Sequence, residues 1–183
     1  GGLSGMVMGS VSASVVSHAS CPVVVVREDN HVTDSTKYGP VVVGVDGSEV
    51  SQKATSYAFR EAQARGAALI AVHTWMDMQV QASLAGLSAA QSEWADIERE
   101  QSELLTENLK EPREEYPEVE VKKLITRDRP VSALTEAAEG AQLLVVGSHG
   151  RGGFKGMLLG STSRALLQSA PCPMMVVRPD EEG

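Results

Sequence analysis

The residues with the clearest chemical potential lie in one glycine-rich segment between positions 147 and 162. Its spacing is G-x2-G-x9-G-S-T, with the defining glycines at Gly147, Gly150 and Gly160. Glycines let the backbone approach phosphate oxygens without a Cβ in the way. Successive N–H groups at a loop that leads into a helix also form a concave anion site. The segment therefore predicts a loop that binds phosphate, although tight loop packing would favour the same glycines.

Polar side chains in the same segment support an anionic ligand. The hydroxyls of Ser161 and Thr162 can donate hydrogen bonds, and Arg151 and Lys155 can supply positive charge. The segment lacks the G-x4-G-K-[ST] spacing of nucleoside triphosphatases. The first strand is not followed by the G-x-G-x-x-G turn of dinucleotide-binding proteins. We therefore expect the segment to bind a polyphosphate through a loop that belongs to neither of these two classes.

Two further residues could do chemistry near this loop. Asp46 could contact a ligand, shape a turn or act in catalysis, and we rank these roles in that order. His149 could act as a general base. No nucleophile or carboxylate pattern accompanies it in the sequence, so a role as a loop or phosphate-facing donor is favoured.

These segments must be positioned by alternating strands and helices. Apolar runs predict strands at 41–45, 68–73, 119–125, 143–146 and 174–177, and helical spacing predicts helices at 49–65, 89–110, 130–138 and 161–169. Pro112 and Pro117 are expected to end the second helix. The order predicts an α/β fold with a five-stranded, mostly parallel, doubly wound sheet. Ligands bind such sheets at the carboxyl ends of the strands, where the strand order reverses.

A repeat defines the domain organisation. Residues 1–27 align without a gap on residues 152–178, and 13 of the 27 positions are identical. The constant offset of 151 has the size of one domain. We therefore predict a helix and strand from a first unit at 1–27, a linker at 28–39, a complete unit at 40–179 and a tail at 180–183.

The repeat also predicts how the two units meet. Residues 22–27 and 173–178 are equivalent apolar strands at the edges of their sheets, and bare apolar edges tend to pair. We expect these strands to pair antiparallel, within one chain or between chains, with the helix at 10–18 packed beside them. The assembly would then be a homodimer or a pseudo-dimer.

Composition narrows the classes of function. The net charge of -8 argues against tight non-specific binding to nucleic acid or to an anionic membrane, and no apolar run approaches the length of a membrane span. Cys21 and Cys172 occupy equivalent turns. This suits packed turn residues with reduced thiols in the cytoplasm better than a disulfide, although a bridge between the two copies stays open.

The combined motifs resemble one known family. The glycine spacing, preceded by LLVVGSHG and followed by SRALLQSAPCPMMVVRP, looks like the ATP-binding signature and last strand of the universal stress protein family. The start VVVGVDGS at 41–48 looks like that family's first strand. The resemblance covers residues 40–179, and residues 1–27 match the same C-terminal part. It identifies the chain as similar to the ATP-binding subgroup and to a truncated tandem member.

The resemblance implies a Rossmann-like or flavodoxin-like fold of the adenine nucleotide alpha hydrolase type, dimerisation through the last strand, and bound ATP, with or without Mg²⁺. It assigns the phosphate and ribose contacts to Gly147, Gly150, Gly160, Ser161 and Thr162. It assigns adenine recognition to Asp46 and to strand ends at Gly44, Val72 and Val146.

Three functional hypotheses follow. The favoured one is an ATP-binding regulatory module of the stress response, because the loop is accompanied by no recognisable catalytic base or Walker-type magnesium ligand. The alternative is a slow ATPase or phosphoryl-transfer enzyme that uses His149, Asp46 and Arg151. The third is a scaffold that binds no nucleotide.

Overall fold

The computed structural model describes residues 10–27, 30, 38–75, 91–151 and 158–179, without the side chains of residues 10 and 91–95. Most of the predicted linker at 28–39 and the tail at 180–183 lie outside the described residues. So do Gly152, Gly153 and Lys155 of the glycine-rich segment.

Helices and strands alternate along the described chain. In chain order they are α1 (Ser10–His18), β1 (Val23–Val25), β2 (Val41–Gly44), α2 (Glu49–Arg65), β3 (Leu69–Thr74), α3 (Gln91–Glu115), β4 (Val121–Thr126), α4 (Pro130–Ala137), β5 (Leu143–Gly147), α5 (Ser161–Ser169) and β6 (Met174–Val177).

The strands form one six-stranded sheet in the order β1-β6-β5-β2-β3-β4. Neighbouring strands from β6 to β4 run parallel, and β1 joins β6 antiparallel. The predicted α/β fold with a mostly parallel sheet is confirmed. The five predicted strands are β2 to β6, and the strand of the first unit adds the sixth.

Two apolar layers cover the sheet. One cluster places Val16 of α1, Leu134 of α4 and Leu166 of α5 against Val42 and Leu144 of the strands. A second cluster on the other face contains Phe59 of α2 and Leu105 of α3. Parallel strands buried on both faces are apolar at nearly every position, which explains the continuous valine and leucine runs.

Local signals define the helix that follows β2. The Ser48 side chain accepts a hydrogen bond from the Ser51 amide at the N-terminus of α2, and Gly66 ends the helix in the left-handed conformation with φ 60°. The observed helix therefore has the predicted limits.

The prediction that Pro112 ends the long helix is wrong, because α3 continues to Glu115 with Pro112 inside it. Pro112 is buried and lies in register with Leu105 and Leu109, which are each 1% exposed. A proline inside a helix removes one backbone hydrogen bond. Burial of its ring on the apolar side of α3, one turn before the end, offsets this loss.

The predicted pairing of the two repeated strands is confirmed within the chain. Val23, Val24 and Val25 of β1 lie opposite Val176, Met175 and Met174 of β6. Val24 and Met175 are also equivalent in the repeat, since their numbers differ by 151. An approximate twofold axis therefore passes through this pair and relates the two copies of the helix and strand. Val16 of α1 is buried, so α1 packs beside the strand as predicted.

Both cysteines are free thiols, so a bridge between the two copies is excluded in this structure. Cys172 is buried, whereas Cys21 is exposed and is not the packed turn residue that its position predicted. Burial raises the pKa of the Cys172 thiol from 9.0 to about 11, against a smaller opposing effect of the Leu144 amide.

We expect the Cys172 thiol to make folding sensitive to alkaline pH. A pKa that is higher in the folded state means that the native protein holds this proton more tightly. The resulting stabilisation is present below about pH 9 and is lost as the pH rises towards 11. Urea unfolding from pH 8 to 11 should show this loss, and Cys172→Ala should lack it. Cys21→Ala is the matched control and should keep the parent's pH dependence. An equal alkaline loss in Cys172→Ala would contradict the assignment.

Candidate functional site

The site lies where the strand order reverses. The chain proceeds from β2 outwards to β3 and β4, and then returns to the other side of β2 as β5. The segments after β2 and β5 therefore leave the same edge of the sheet side by side. This places Asp46 next to the glycine-rich loop, which we define as residues 147–151, and creates a crevice of the kind that holds ligands in parallel sheets.

The Asp46 carboxylate joins these two segments. Its Oδ1 accepts a hydrogen bond from the Ser48 amide at 2.9 Å, and its Oδ2 accepts one from the Arg151 amide at 3.2 Å. The first bond shapes the turn into α2, as one sequence interpretation proposed. The second bond reaches the glycine-rich loop. Asp46 therefore shapes the turn and also fixes the loop, and neither contact excludes an additional role towards a ligand.

Two glycines permit this close approach. Gly47 has φ 79°, and a Cβ there would lie 2.6 Å from Nη2 of Arg151. A Cβ on Gly150 would overlap Oδ2 of Asp46. The Arg151 side chain thus lies over the backbone of Gly47, and its positive charge is held at the crevice.

Three hydrogen bonds, each 2.7 Å long, attach the glycine-rich loop to its surroundings. The Ser148 amide donates to the Val177 carbonyl of β6, and the Gly160 amide donates to the Ser148 carbonyl. The Ser163 hydroxyl donates to the Gly147 carbonyl. The loop and the N-terminus of α5 therefore form one connected unit.

The N-terminus of α5 offers donors to an anion. Its N-cap residue is Gly160, so no side chain of that residue caps the first amides. Ser161 is exposed and Thr162 is partly exposed in the first turn, close to the point where the loop ends. The first amides of a helix have no partner within the helix, and together with the helix dipole they favour negative charge at this end. Arg151, which is exposed, adds a cation.

The predicted strand-end residues lie next to one another in β2, β3 and β5. Gly44 pairs with Val72. The Val72 carbonyl accepts a hydrogen bond from the Val45 amide at 2.8 Å. A Cβ on Gly44 would lie 3.2 Å from Leu134 of α4 and 3.6 Å from Val146. The sequence therefore identified neighbouring residues, but the side chains of Val72 and Val146 are packed in the core.

The two histidines near the site have structural contacts. His73 is 4% exposed, and its ring nitrogens lie 2.7 Å from the Val45 carbonyl and 2.9 Å from Gln101. Because a carbonyl only accepts, Nδ1 of His73 carries the hydrogen. His149 Nδ1 lies 3.1 Å from the hydroxyl of Ser148, which is fully buried. A buried hydroxyl is poorly placed as a nucleophile, which favours the interpretation of His149 as a loop residue.

Sequence reasoning missed two serines that support the site. Ser163 binds the Gly147 carbonyl. Ser51 accepts from the Asp46 amide at 3.0 Å, and its hydroxyl lies 3.5 Å from the Gly44 carbonyl. Both are nearly buried within the first turn of a helix. Each serine lies three residues after the N-cap residue of its helix, Ser48 or Gly160, and this spacing was the sequence signal that could have identified it.

Two features are absent from the described residues. They contain no group of three or more His, Cys, Asp or Glu side chains that could hold a metal ion. None of the helices in the described ranges is long and apolar enough to cross a bilayer.

Comparison with protein families identifies relatives over nearly the whole chain. The sequence model of the Universal stress protein family matches residues 1–27 and 37–178. A universal stress protein of Mycobacterium tuberculosis is 46% identical over 178 residues, which cover 97% of this chain and 58% of that protein. One from Mycolicibacterium smegmatis is 45% identical over 179 residues, again with 58% of its length covered. The chain thus spans less than two thirds of these curated relatives.

Solved structures share the fold. A universal stress protein from Archaeoglobus fulgidus has a TM-score of 0.61 and 25% identity, over 96% of this chain and 56% of that chain. Another from Archaeoglobus fulgidus, in complex with dAMP, has a TM-score of 0.51 and 20% identity, over 76% of this chain and 98% of that chain. At this identity the second likeness concerns the fold alone.

Proposed function

Because the chain belongs to the universal stress protein family, we propose that it binds an adenine nucleotide, ATP with or without Mg²⁺, and acts as a nucleotide-dependent regulatory module of the stress response. The observation that carries the proposal is the convergence of Arg151, the glycine-rich loop and the N-terminus of α5, which has no side-chain cap at Gly160, at the strand-order reversal. A polyphosphate suits this arrangement, because backbone amides, hydroxyls and one guanidinium face the same crevice.

In this proposal the phosphates lie against Gly147, Gly150, Gly160, Ser161 and Thr162, and Arg151 supplies charge. The adenosine part lies towards Asp46 and the strand ends at Gly44, Val72 and Val146. The solved relative in complex with dAMP shares the fold and offers one example of an adenine nucleotide on it.

The contact between Asp46 and the Arg151 amide suggests how binding produces a signal. A phosphate and the Asp46 carboxylate are both acceptors, so they compete for the Arg151 backbone amide. Nucleotide would draw the loop away from Asp46 and leave Oδ2 to accept from the ligand. This gives two loop positions whose populations depend on nucleotide occupancy.

Enzymatic turnover is the weaker candidate. Slow hydrolysis would require a residue that orients water, and His149 is the candidate base in the glycine-rich loop. Its ring contacts the buried Ser148 hydroxyl. A turnover assay on the parent and on His149→Ala decides between a binding module and an enzyme.

Assembly forms part of the proposal. Four valines of the first unit, Val11, Val15, Val24 and Val26, are 75%, 49%, 47% and 66% exposed. The residues equivalent to Val15 and Val26 are Leu166 and Val177, and both are fully buried. In the complete unit Leu166 lies in the apolar layer that contains Leu134 of α4, and Val177 lies in the layer that contains Phe59 of α2. We therefore propose that the rest of a first unit, in tandem, or a second copy of this chain covers the outer side of α1 and β1.

We place the protein in the cytoplasm, where the free thiols of Cys21 and Cys172 would stay reduced.

The direct test is the nucleotide content of the purified protein. Mass spectrometry should find an adenine nucleotide that co-purifies, and calorimetry should show that ATP binds. Asp46→Ala should weaken ATP binding roughly three- to ten-fold, as expected for loss of a hydrogen bond that contributes about 0.5–1.5 kcal/mol. Asp46→Asn keeps one oxygen acceptor and should lose less. A parent that binds neither ATP nor ADP would contradict the proposal and favour the scaffold hypothesis.

A further inference from the structure

An arginine of each unit contacts the C-terminal end of a helix in the other unit, α5 in one case and α1 in the other. Arg27 follows β1, and its guanidinium donates to the Gln168 carbonyl in the last turn of α5. Arg178 follows β6, and its guanidinium donates at 3.3 Å to the Ala19 carbonyl, just after α1. The two arginines are equivalent in the repeat, because their numbers differ by 151. Each unit therefore caps the C-terminus of the other unit's helix.

Among the described residues, a second side chain adds to the cap on α5; Glu181, the residue equivalent to Asn30, lies outside them. The Asn30 side-chain amide donates to the Ala170 carbonyl at 3.4 Å, and its oxygen accepts from the Arg27 amide at 2.9 Å. The backbone amide of Asn30 in turn donates to the Arg27 carbonyl at 3.0 Å. Arg27 and Asn30 are thus hydrogen-bonded to each other, and their side chains donate to two carbonyls at the C-terminal end of α5.

The helix that receives these contacts is the one that begins at the proposed phosphate site. Helix α5 has nine residues and a length of about 13 Å. Its N-terminus is tied to the glycine-rich loop through Ser163 and Gly160. Its last carbonyls have no partner within the helix, and a cation there also complements the helix dipole.

We propose that Arg27 and Asn30 are positioning residues for the nucleotide site, which they reach through α5. They fix the C-terminal end of this short helix against the first unit and thereby fix where its first amides meet phosphate. Contact between the two units and nucleotide affinity are then coupled, and a change at the β1–β6 interface regulates the site. This inference rests on the proposed nucleotide site.

The repeat provides a matched control for the experiment. Arg27→Met removes a guanidinium that caps α5, whereas Arg178→Met removes the equivalent guanidinium that caps α1. Both variants lose a guanidinium contact across the same interface, and both keep their backbone groups. We expect Arg27→Met to weaken ATP binding about three- to ten-fold in calorimetry, and Arg178→Met to change it less than about two-fold. Arg27→Lys should restore part of the affinity, because it keeps a charged donor.

Hydrogen exchange gives a readout that does not depend on ligand. In the unliganded 183-residue chain, Arg27→Met should speed amide exchange in the second half of α5, and Arg178→Met should not. Equal loss of ATP affinity in both variants, or unchanged affinity and exchange in Arg27→Met, would overturn the coupling. If Arg27→Met does not fold, Asn30→Ala replaces it, with a smaller loss expected in the same direction, and an unchanged affinity there overturns the coupling. A parent chain that fails to bind ATP contradicts the nucleotide site itself, and the exchange comparison then still decides whether Arg27 holds α5.

Discussion

Gly160→Val is expected to lower the affinity for ATP by about ten-fold or more. A Cβ on Gly160 would lie 3.1 Å from Cα of His149 and 3.4 Å from the Ser148 carbonyl oxygen. A branched side chain there must displace the loop backbone, because the Gly160 amide already holds the Ser148 carbonyl at 2.7 Å. The amides of the loop and of α5 would no longer face one phosphate group. Losing one charge-assisted hydrogen bond already costs roughly 1.5 to 3 kcal/mol.

The structure changes the reason for this effect. The sequence suggested that a side chain at position 160 would stand where phosphate binds, whereas the Cβ direction points to the backbone of His149. Valine therefore acts by moving the loop, and Gly160→Ala, which adds one methyl group, should have a smaller effect on affinity.

Calorimetric titration with ATP measures the loss, and circular dichroism checks the fold. Ser56→Val is the control, since Ser56 is exposed on α2 and receives the same branched side chain away from the loop. Unchanged affinity in a folded Gly160→Val protein would show that ATP does not bind at the start of α5.

Local signals were sufficient to predict the framework. Ser48 and Gly66 define the ends of α2, and the observed limits of α5 are those given by its apolar spacing. The signals failed at Pro112, because the value of burying that ring depends on the sheet beneath α3 and not on neighbouring residues. The fold class followed from the alternation of strands and helices, which needs no knowledge of contacts.

The candidate site could be predicted only in part. Glycine spacing identified the loop, but the contact between Asp46 and Arg151 joins residues 105 positions apart. That contact depends on the reversal of strand order between β2 and β5, which the order of elements along the chain does not specify. The burial of Val72 and Val146 depends in the same way on where α4 crosses the sheet. Contacts of the Arg27 and Asn30 type depend on side-chain geometry at an interface, and the repeat revealed only that the two arginines are equivalent.

Deleting residues 1–30 is expected to produce a homodimer that pairs through β6 and to lower the thermal stability of the chain. The deletion removes β1 from the edge of β6 and uncovers a strand whose four residues are all buried. It also removes Val16, which is 1% exposed in the apolar layer, and the Arg27 contact with α5. An uncovered apolar edge strand readily pairs with another chain.

The approximate twofold axis indicates how the new partner would bind. Val24 lies opposite Met175, its own equivalent, so the β6 strand of a second copy can take the place of β1 with Met175 opposite Met175. Light scattering should then give about twice the monomer mass. Loss of about 2–3 kcal/mol in the separated monomer would lower its melting temperature by about 5–10 °C.

Met175→Lys in the deleted chain provides the control, because a lysine on the axis would meet a second lysine across the interface and prevent pairing. This variant should be monomeric and should melt lowest. In the full 183-residue chain the same substitution places one lysine opposite Val24, so the cost is smaller and the mass should not change. A deleted chain that stays monomeric and melts at the parent's temperature would show that β1 contributes nothing to the edge it covers.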